Sequence, residues 1–327
     1  MPPPPFPSFT GLDRLRLRRN RARAVARGIF PETFDRTVME RLAERLGDIK
    51  RSFKTALVLG QGTEALVDAL RARGVAFPVT ADSVMGPDST NTVTPAQAGV
   101  PRESSTLFQA PRDPGLRRDD ADRTGPESPP ALPQTLVLDE ESWPFAGGVV
   151  EAILSVLTLH TVNDLPGALA QARNALTPGG VFLGALVGGA SLQELRTCLA
   201  DAESALTGQA PRRVAPMVDV MTAGALLRRA GFELPLTDRE TLTLVVPDLT
   251  TLLRRLHERG EGFAPKVPAR GAHLPLRRDV LAEAERLYAA RFPGPSGEGL
   301  SVTAEVIFLH GWRPEQTGSD LTRCTAL

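Results

Sequence analysis

Hydrophobic positions along the chain follow two spacings, one typical of amphipathic helices and one typical of buried strands. Phe34, Val38, Leu42 and Leu46 lie four positions apart, which predicts a helix over residues 34–48. Short continuous apolar runs predict strands that are covered on both faces. These runs occupy residues 55–59, 76–81, 135–138, 151–157 and 181–187. Strands and helices are therefore expected to alternate along the chain.

The second half of the chain continues this alternation. Helical spacing predicts helices over 165–176, 191–206, 219–230, 248–259 and 276–291. Two late β segments, 241–246 and 301–310, are separated by two of these helices, and we expect them to pair as an antiparallel edge. The pattern predicts one doubly wound α/β domain with a mostly parallel sheet and extra helices at the amino-terminal end and between the last strands.

Composition divides the chain further. Five of the first seven residues are proline, so we expect a disordered lead before an arginine-rich helical region. Residues 86–131 hold eight prolines, twelve charged residues and five large apolar residues, which is too few to bury a core, so we expect a disordered insertion there. The predicted segments are the lead 1–9, the helical region 10–50, one domain formed by 51–85 and 132–315, the insertion 86–131 and a tail, 316–327.

Charge and cysteine content narrow the function classes. The chain carries 38 basic and 38 acidic residues, which excludes the overall attraction expected of a general nucleic-acid binder. Its two cysteines are too few for a disulfide framework, which is typical of a reducing compartment. No apolar run approaches the roughly 20 residues that cross a bilayer, and no apolar secretion segment follows Met1, so we expect a cytoplasmic protein without a membrane span.

Residues 14–27 hold seven arginines and no acidic residue. Such a run also occurs in transit peptides, although the proline-rich lead argues against an amphipathic presequence. Two interpretations stay open. The segment is either a solvated helix or a patch that binds an acidic partner or a phosphate.

Polar residues follow the first two predicted strands where each one ends. Gly60, Gln61 and Gly62 form a turn between a strand and a helix, the context in which a backbone can approach a cofactor at a helix amino terminus. Asp82 ends the second strand, where a carboxylate can accept hydrogen bonds from ribose hydroxyls. Because the carboxyl ends of parallel strands line one crevice, we expect these residues to share a site.

The next two strands deliver further polar residues to the same edge. Asp139 and Glu140 follow the third strand, and Thr158, His160 and Asn163 follow the fourth. His160 and Asn163 are candidate catalytic residues, although His160 is as well suited to holding its loop by hydrogen bonds. The other three histidines show no ligand spacing with His160, so no metal site is predicted.

Several motifs carry a resemblance to a known family. The turn GQGTEA (60–65) and the segments DEESWPF (139–145), LHTVNDLP (159–166) and LTPGG (176–180) resemble class I S-adenosylmethionine-dependent methyltransferases. Later motifs are GGASLQELR (188–196), PRRVAP (211–216), LLRRAGF (226–232) and HGWRP (310–314). They are similar to the group that contains the complex I assembly factor that hydroxylates an arginine and the malonyl-acyl-carrier-protein methyltransferase. The likeness spans roughly residues 12–315 without the insertion.

The resemblance implies a seven-stranded Rossmann-like sheet that binds S-adenosylmethionine across the carboxyl ends of its first four strands. The implied contacts are Gly60, Gln61 and Gly62 at the methionine part, Asp82 at the ribose, Asp139 and Glu140 beside the adenine, and Thr158 and His160 near the sulfonium. It also implies a protein partner, either a respiratory complex I subunit or an acyl-carrier protein. Methyl transfer gains most of its rate from proximity and orientation.

Three positions depart from the family pattern. Val58 stands where an acid is usual, Glu64 where a third glycine is usual, and Thr161 where an aromatic residue is usual. They favour an alternative function, a non-catalytic assembly or scaffold factor with a degenerate cofactor cleft. A third hypothesis is a nicotinamide-dependent dehydrogenase, since GQGTEA also fits the dinucleotide-binding pattern. The LTPGG turn and the late strand pair argue against it. The oligomeric state stays open.

Overall fold

A computed structural model describes residues 11–27, 33–75, 77–82, 135–145, 147–266 and 275–315. The predicted lead (1–9), insertion (86–131) and tail (316–327) lie outside the described residues. The helices are α1 (Arg14–Ala26), α2 (Thr33–Asp48), α3 (Glu64–Ala72), α4 (Leu165–Ala175), α5 (Gln193–Thr207), α6 (Val220–Arg229), α7 (Leu249–Glu258) and α8 (Arg278–Arg291). A short 3₁₀ turn, Leu159–Thr161, precedes α4.

The strands form one mixed sheet. They are β1 (Thr55–Leu59), β2 (Phe77–Asp82), β3 (Thr135–Val137), β4 (Val150–Val156), β5 (Leu176–Val187), β6 (Glu233–Val246) and β7 (Leu300–Trp312). Their order across the sheet is β3-β2-β1-β4-β5-β7-β6. The first five strands pair in parallel, whereas β7 is antiparallel to both β5 and β6. The expected α/β, Rossmann-like class and the antiparallel pairing of the last two strands are confirmed.

Helices pack on both faces of this sheet because side chains alternate along each strand. On β1, Ala56 and Val58 face a buried cluster that includes α2 and α3. Leu57 and Leu59 face a second buried cluster that includes α4 and α6. Continuous apolar strands follow from this arrangement, since neither face of β1 is left to solvent. The carboxyl ends of the central strands remain as the free edge.

The late helices form a third buried cluster with the ends of β6 and β7. Tyr288 of α8 is fully buried there, and its hydroxyl donates a hydrogen bond to the carbonyl oxygen of Ser301 at 2.9 Å. Cys198 of α5 is also fully buried in this cluster. One of these helices, α7, also borders a cavity at the carboxyl ends of β1 and β4.

Two strands begin earlier than the sequence predicts. β6 begins at Glu233 rather than at residue 241, and its first half is mostly exposed, so no continuous apolar run reveals it. β5 begins at Leu176 rather than at residue 181, since the LTPGG motif continues into the strand. The register shifts between Val150 and Ala152 of β4 at this point. Because the pairing of β5 with β4 is irregular where β5 begins, the sequence of this segment resembles a turn.

Candidate functional site

The turn after β1 brings its backbone close to the end of β4. Gly60 has a φ of +129°, and a Cβ placed there would lie 2.6 Å from the carbonyl oxygen of Val156. Gly62 also has a positive φ, +62°. Such backbone conformations favour glycine, and the contact at Gly60 leaves no room for a side chain. The two glycines therefore fix a close crossing at the carboxyl ends of the two strands.

A cavity of about 410 Å³ opens beside this turn. Gln61, Thr158 and His160 border it from the ends of β1 and β4, and Arg21 of α1 and Glu261 border it as well. Leucine and valine side chains from β6, α7 and β7 make much of the remaining wall. Open α/β sheets bind ligands at this edge, in largely apolar cavities with a few polar groups.

Two nitrogen atoms at this cavity are buried and lack a hydrogen-bond partner among the described residues. They are Nε2 of Gln61 and Nδ1 of His160. A buried polar atom without a partner costs about 1–3 kcal/mol, so a ligand that hydrogen bonds to either nitrogen gains free energy. The amide of Gln61 can donate, and an unprotonated Nδ1 of His160 can accept.

His160 is oriented by a carboxylate that lies far away in the sequence. Its Nε2 is 3.2 Å from Oε2 of Glu261, and Arg21 contacts the other carboxylate oxygen at 2.8 Å. Burial alone raises the pKa of Glu261, but the charge of Arg21 and the hydrogen bond with His160 outweigh it and hold this pKa well below its usual range. Glu261 is therefore ionised and accepts the Nε2 proton, which leaves Nδ1 as the nitrogen without a partner among the described residues.

Thr158 is held at the end of β4 by its own turn. Its hydroxyl lies 2.9 Å from the hydroxyl of Ser155, and both side chains are buried. The hydroxyl of Thr161 donates to the carbonyl oxygen of Thr158 at 2.9 Å. Leu157, which borders the cavity, has a φ of +50°, a conformation that branched side chains rarely adopt. The turn is thus fixed where it meets the cavity.

The acidic loop after β3 is paired with α1. Arg14 forms ion pairs with Asp139, Glu140 and Glu141, and Arg18 forms one with Asp139. Burial raises the pKa of Asp139, but the hydrogen bonds from Arg18 and from the backbone of Glu141 lower it below its usual range. The side chains of Asp139 and Glu140, predicted to lie beside an adenine, are engaged by these arginines instead.

Asn163 joins the start of the described chain to the 3₁₀ turn. Its side-chain oxygen accepts a hydrogen bond from the backbone nitrogen of Leu12 at 2.6 Å, and its side-chain nitrogen donates to the carbonyl oxygen of Leu12 at 3.1 Å. The backbone nitrogen of Asn163 donates to Glu141. The polar atoms of Asn163 are thus used to hold the segment that leads into α1.

Charged side chains at the cavity are paired, with one exception among the described residues. Arg259 donates two hydrogen bonds of 2.6 Å to the carboxylate of Asp35. Arg255 of α7 also borders the cavity and is exposed, and its guanidinium has no charged or hydrogen-bonded partner in the described part of the chain. The cavity therefore offers one guanidinium group to a bound molecule.

The predicted site residues fall into two groups. Gln61, Thr158 and His160 line one cavity, whereas Gly60, Gly62, Asp139, Glu140 and Asn163 do not line it. Asp82 ends β2 next to β1 and β3, and its side chain lies outside the described part of the structure. Within the described ranges, no group of three His, Cys, Asp or Glu side chains is placed to hold a metal ion.

Sequence reasoning missed three of the charged residues at the cavity, Arg21, Glu261 and Arg255. Arg21 belongs to the arginine run, where nothing distinguishes it from its neighbours. Glu261 lies in a loop after α7 with no motif around it. Two of the three departures from the family pattern lie away from the cavity, since Val58 is fully buried in the core and Glu64 is exposed on α3.

Comparison with known proteins gives consistent matches. Residues 115–184 match the model of a methyltransferase domain. The zebrafish mitochondrial arginine-hydroxylase NDUFAF5 is 34% identical over 184 residues, which is 56% of this chain and 56% of that protein. The human protein of the same name is 29% identical, covering 93% of this chain and 79% of that protein. The chain thus spans little more than half of the zebrafish relative.

Bacterial proteins match as well. The malonyl-[acyl-carrier protein] O-methyltransferase of Methylovorus sp. is 28% identical, covering 93% of this chain and 90% of that protein. A solved structure of a methyltransferase from Bacillus halodurans is 13% identical with a TM-score of 0.47, covering 85% of this chain and 99% of that one. In the described part of the chain, no helix is both long and apolar enough to cross a membrane.

Proposed function

Because the chain belongs to the class I S-adenosylmethionine-dependent methyltransferase superfamily, we propose that it transfers a methyl group from S-adenosylmethionine to an acceptor held in the cavity. The observation that carries the proposal is the pair of buried nitrogen atoms without partners, on Gln61 and His160, in one cavity at the ends of β1 and β4. Both atoms belong to segments that carry the family resemblance. A ligand with hydrogen-bonding groups of both kinds would satisfy them.

The residues at this edge fit the cofactor. Gln61 directly follows the tight crossing at Gly60 and borders the cavity, and its amide can hydrogen bond to a carboxylate. Gly60, Gln61 and Gly62 would hold the methionine end, Thr158 would lie near the sulfonium, and Asp82 would hold the ribose. Asp139 and Glu140 would have to exchange their arginine partners to reach the adenine. When bound, the cofactor supplies an electrophilic methyl group on sulfur.

We assign His160 as the group that accepts the acceptor's proton. Nδ1 of His160 is buried at the cavity, and Nε2 is directed at the ionised Glu261. As Nδ1 takes up a proton, the imidazole becomes positively charged, and Glu261 stabilises that charge. Arg21 is a positioning residue, since it fixes the carboxylate of Glu261. Orientation of the two reactants in the cavity supplies the larger share of the rate.

Calorimetric titration of the full chain with S-adenosylmethionine and with its demethylated product tests the proposal. Both should bind, and Gln61→Glu should weaken binding by at least about tenfold, since it places a carboxylate opposite the cofactor's carboxylate. The matched control is Gln209→Glu, the same change outside the cavity lining. Absence of binding at millimolar ligand would end the proposal.

The acceptor is proposed to reside on a protein partner, either a respiratory complex I subunit or an acyl-carrier protein. The relatives' names support both versions. Arg255 favours an anionic acceptor, because an unpaired guanidinium attracts a carboxylate and repels a second guanidinium. Incubation with labelled cofactor and either malonyl-acyl-carrier protein or the complex I subunit distinguishes them. Mass spectrometry of each product separates an added methyl group from an added oxygen atom.

A second candidate function is a non-catalytic assembly factor. Two observations favour it: Val58 offers no carboxylate to the glycine turn, and Asp139 and Glu140 are already paired with α1. In a strain that lacks the protein and assembles complex I poorly, Gln61→Glu would then restore assembly as well as the wild type. If Gln61→Glu fails while Gln209→Glu succeeds, the enzyme proposal is favoured.

A further inference from the structure

A row of arginines lies on the outer side of α1 and of the turn that follows it. Arg16, Arg19, Arg23 and Arg27 are exposed, and none of their side chains has a partner among the described residues. Their spacing of three and four positions places them on one helical face. We call these four residues the arginine ridge.

The opposite face of α1 fixes the helix to the domain. Arg14 and Arg18 pair with the acidic loop after β3, Arg21 pairs with Glu261, and Leu17 is buried. The arginine side chains of this inner face thus meet the acids of two loops, the one after β3 and the one after α7. The arginine ridge therefore points away from the domain, on a helix whose orientation is set by other contacts.

The arginine ridge repels itself. Arg19 and Arg23 lie four positions apart, as do Arg23 and Arg27, and like charges at that spacing destabilise a helix. No acidic residue occurs within α1 to offset this repulsion. Carboxylates from another molecule would relieve it, and they would stabilise the helix and the complex together.

An apolar row runs beside the arginine ridge. Leu15 is 66% exposed, and Ala22 and Ala26 follow it at helical spacing. The ridge itself spans about 16 Å, at about 1.5 Å per residue, which matches three turns of a partner helix. A charged row with an adjacent apolar row is complementary to an amphipathic helix that carries acids on one side.

We propose that the arginine ridge docks an acidic amphipathic helix of a protein partner. The neutral net charge of the chain argues against a nucleic acid. Among the side chains of α1 that the structure describes, Leu15 is the one large apolar group that is exposed, which is less than a membrane-bound helix uses. The inference goes beyond the proposed function because docking needs neither cofactor nor catalysis. Ala24 and Arg21 on the inner face of the same helix border the cavity, so a docked partner and the cavity contact opposite faces of one helix.

Fluorescence anisotropy with two synthetic peptides tests the proposal on the full chain. Both are labelled helical peptides of identical composition: one has its glutamates on one face beside leucines, and in the other the same residues are spread around the helix. The first should bind at least about tenfold more tightly than the second. Equal affinities for the two peptides would mean that the arginine ridge attracts any negatively charged peptide, and they would overturn the proposal.

Two double variants locate the contact. Arg19→Glu/Arg23→Glu should weaken binding of the first peptide by at least about tenfold. Arg228→Glu/Arg229→Glu, the same charge change on exposed residues of α6, should leave it within about twofold. Unchanged binding by the ridge variant would refute the assignment.

A neutral variant separates a loss of binding from a loss of folding. Arg19→Gln/Arg23→Gln removes the repulsion inside α1, so it should fold at least as well as the wild type and still bind the peptide more weakly. A 20-base-pair DNA duplex and phosphatidylglycerol vesicles serve as competing probes. Ridge-dependent binding of either probe, with no binding of the first peptide, would contradict the proposal and assign the ridge to that other class.

Discussion

Glu261 lies 3.2 Å from Nε2 of His160, although the two residues are 101 positions apart in the sequence. With Arg21, which contacts Glu261 from α1, they form a line of three side chains from the amino-terminal helix to the end of β4. The arrangement ties the candidate proton acceptor to two segments outside the central strands. Its charge and its geometry can be tested separately.

Replacing Glu261 by Gln keeps a hydrogen-bond acceptor for His160 but removes the negative charge. Under the proposed function we expect kcat to fall by about tenfold to a hundredfold, with the KM for S-adenosylmethionine changed by less than about twofold. Steady-state kinetics at saturating acceptor measures both. Glu258→Gln, the same change at a surface pair with Arg254, should leave kcat within about twofold. An unchanged kcat in the Glu261 variant would refute the role of its charge.

The ion pairs of Glu261 predict a pH dependence of stability. The folded-state pKa of Glu261 lies well below its ordinary value of 4.5, so the unfolded state binds more protons in that range. The stabilisation is present above about pH 4.5 and is lost progressively as the pH falls toward the folded-state pKa. Urea unfolding of the wild type and of Glu261→Gln is measured at about pH 7 and at about pH 3.5. The difference in unfolding free energy between the two proteins should be smaller at the lower pH. A difference that grows instead would contradict the assignment.

Arg14 holds the acidic loop after β3. Its side chain is 11% exposed and that of Glu140 is 2% exposed, so Arg14→Ala leaves a buried carboxylate without its partner. We expect the free energy of unfolding to fall by about 3–5 kcal/mol. Arg16→Ala removes an exposed arginine of the same helix and should change it by less than about 0.5 kcal/mol. Similar values for the two variants would show that the Arg14 pairs contribute little.

Gly60 is expected to tolerate no side chain. In Gly60→Ala the new Cβ meets the carbonyl oxygen of Val156 and the backbone keeps a positive φ, so we expect a loss of at least about 3 kcal/mol in unfolding free energy. Gly74→Ala separates the two causes, since Gly74 has a φ of +81° but no atom within 4 Å of its Cβ position. It should cost about 1 kcal/mol. Thermal unfolding of both variants makes the comparison, and equal losses would mean that conformation alone requires the glycine.

The sequence predicted the central sheet well because its strands are covered on both sides. β1 occupies Thr55–Leu59 as predicted, since a continuous apolar run has no other stable place than the middle of the sheet. The start of β6 was missed because an exposed edge strand alternates polar and charged residues, as loops also do. Burial, rather than strand propensity, made a strand predictable.

The candidate site was predictable where strands end and unpredictable where loops meet. Gln61 and Thr158 share a cavity because parallel neighbours bring their carboxyl ends together, which follows from topology. Glu261 joins them through a loop after α7, and no local spacing encodes that contact. Likewise, the sequence offered α1 two interpretations, a solvated helix or a binding patch. The structure divides the helix into an inner face that pairs with acids and an outer face that does not.

The contacts of residues 12–21 with the rest of the domain limit how far the chain can be truncated from its amino-terminal end. Asn163 hydrogen bonds to Leu12, Glu140 pairs with Arg14, and Glu261 pairs with Arg21, so three loops of the sheet are completed by residues 12–21. A fragment cut to begin at Thr33 would keep all seven strands yet remove the arginine partners of four carboxylates and the backbone partner of the Asn163 amide. Excised versions meant for biochemistry must therefore retain the amino-terminal helix.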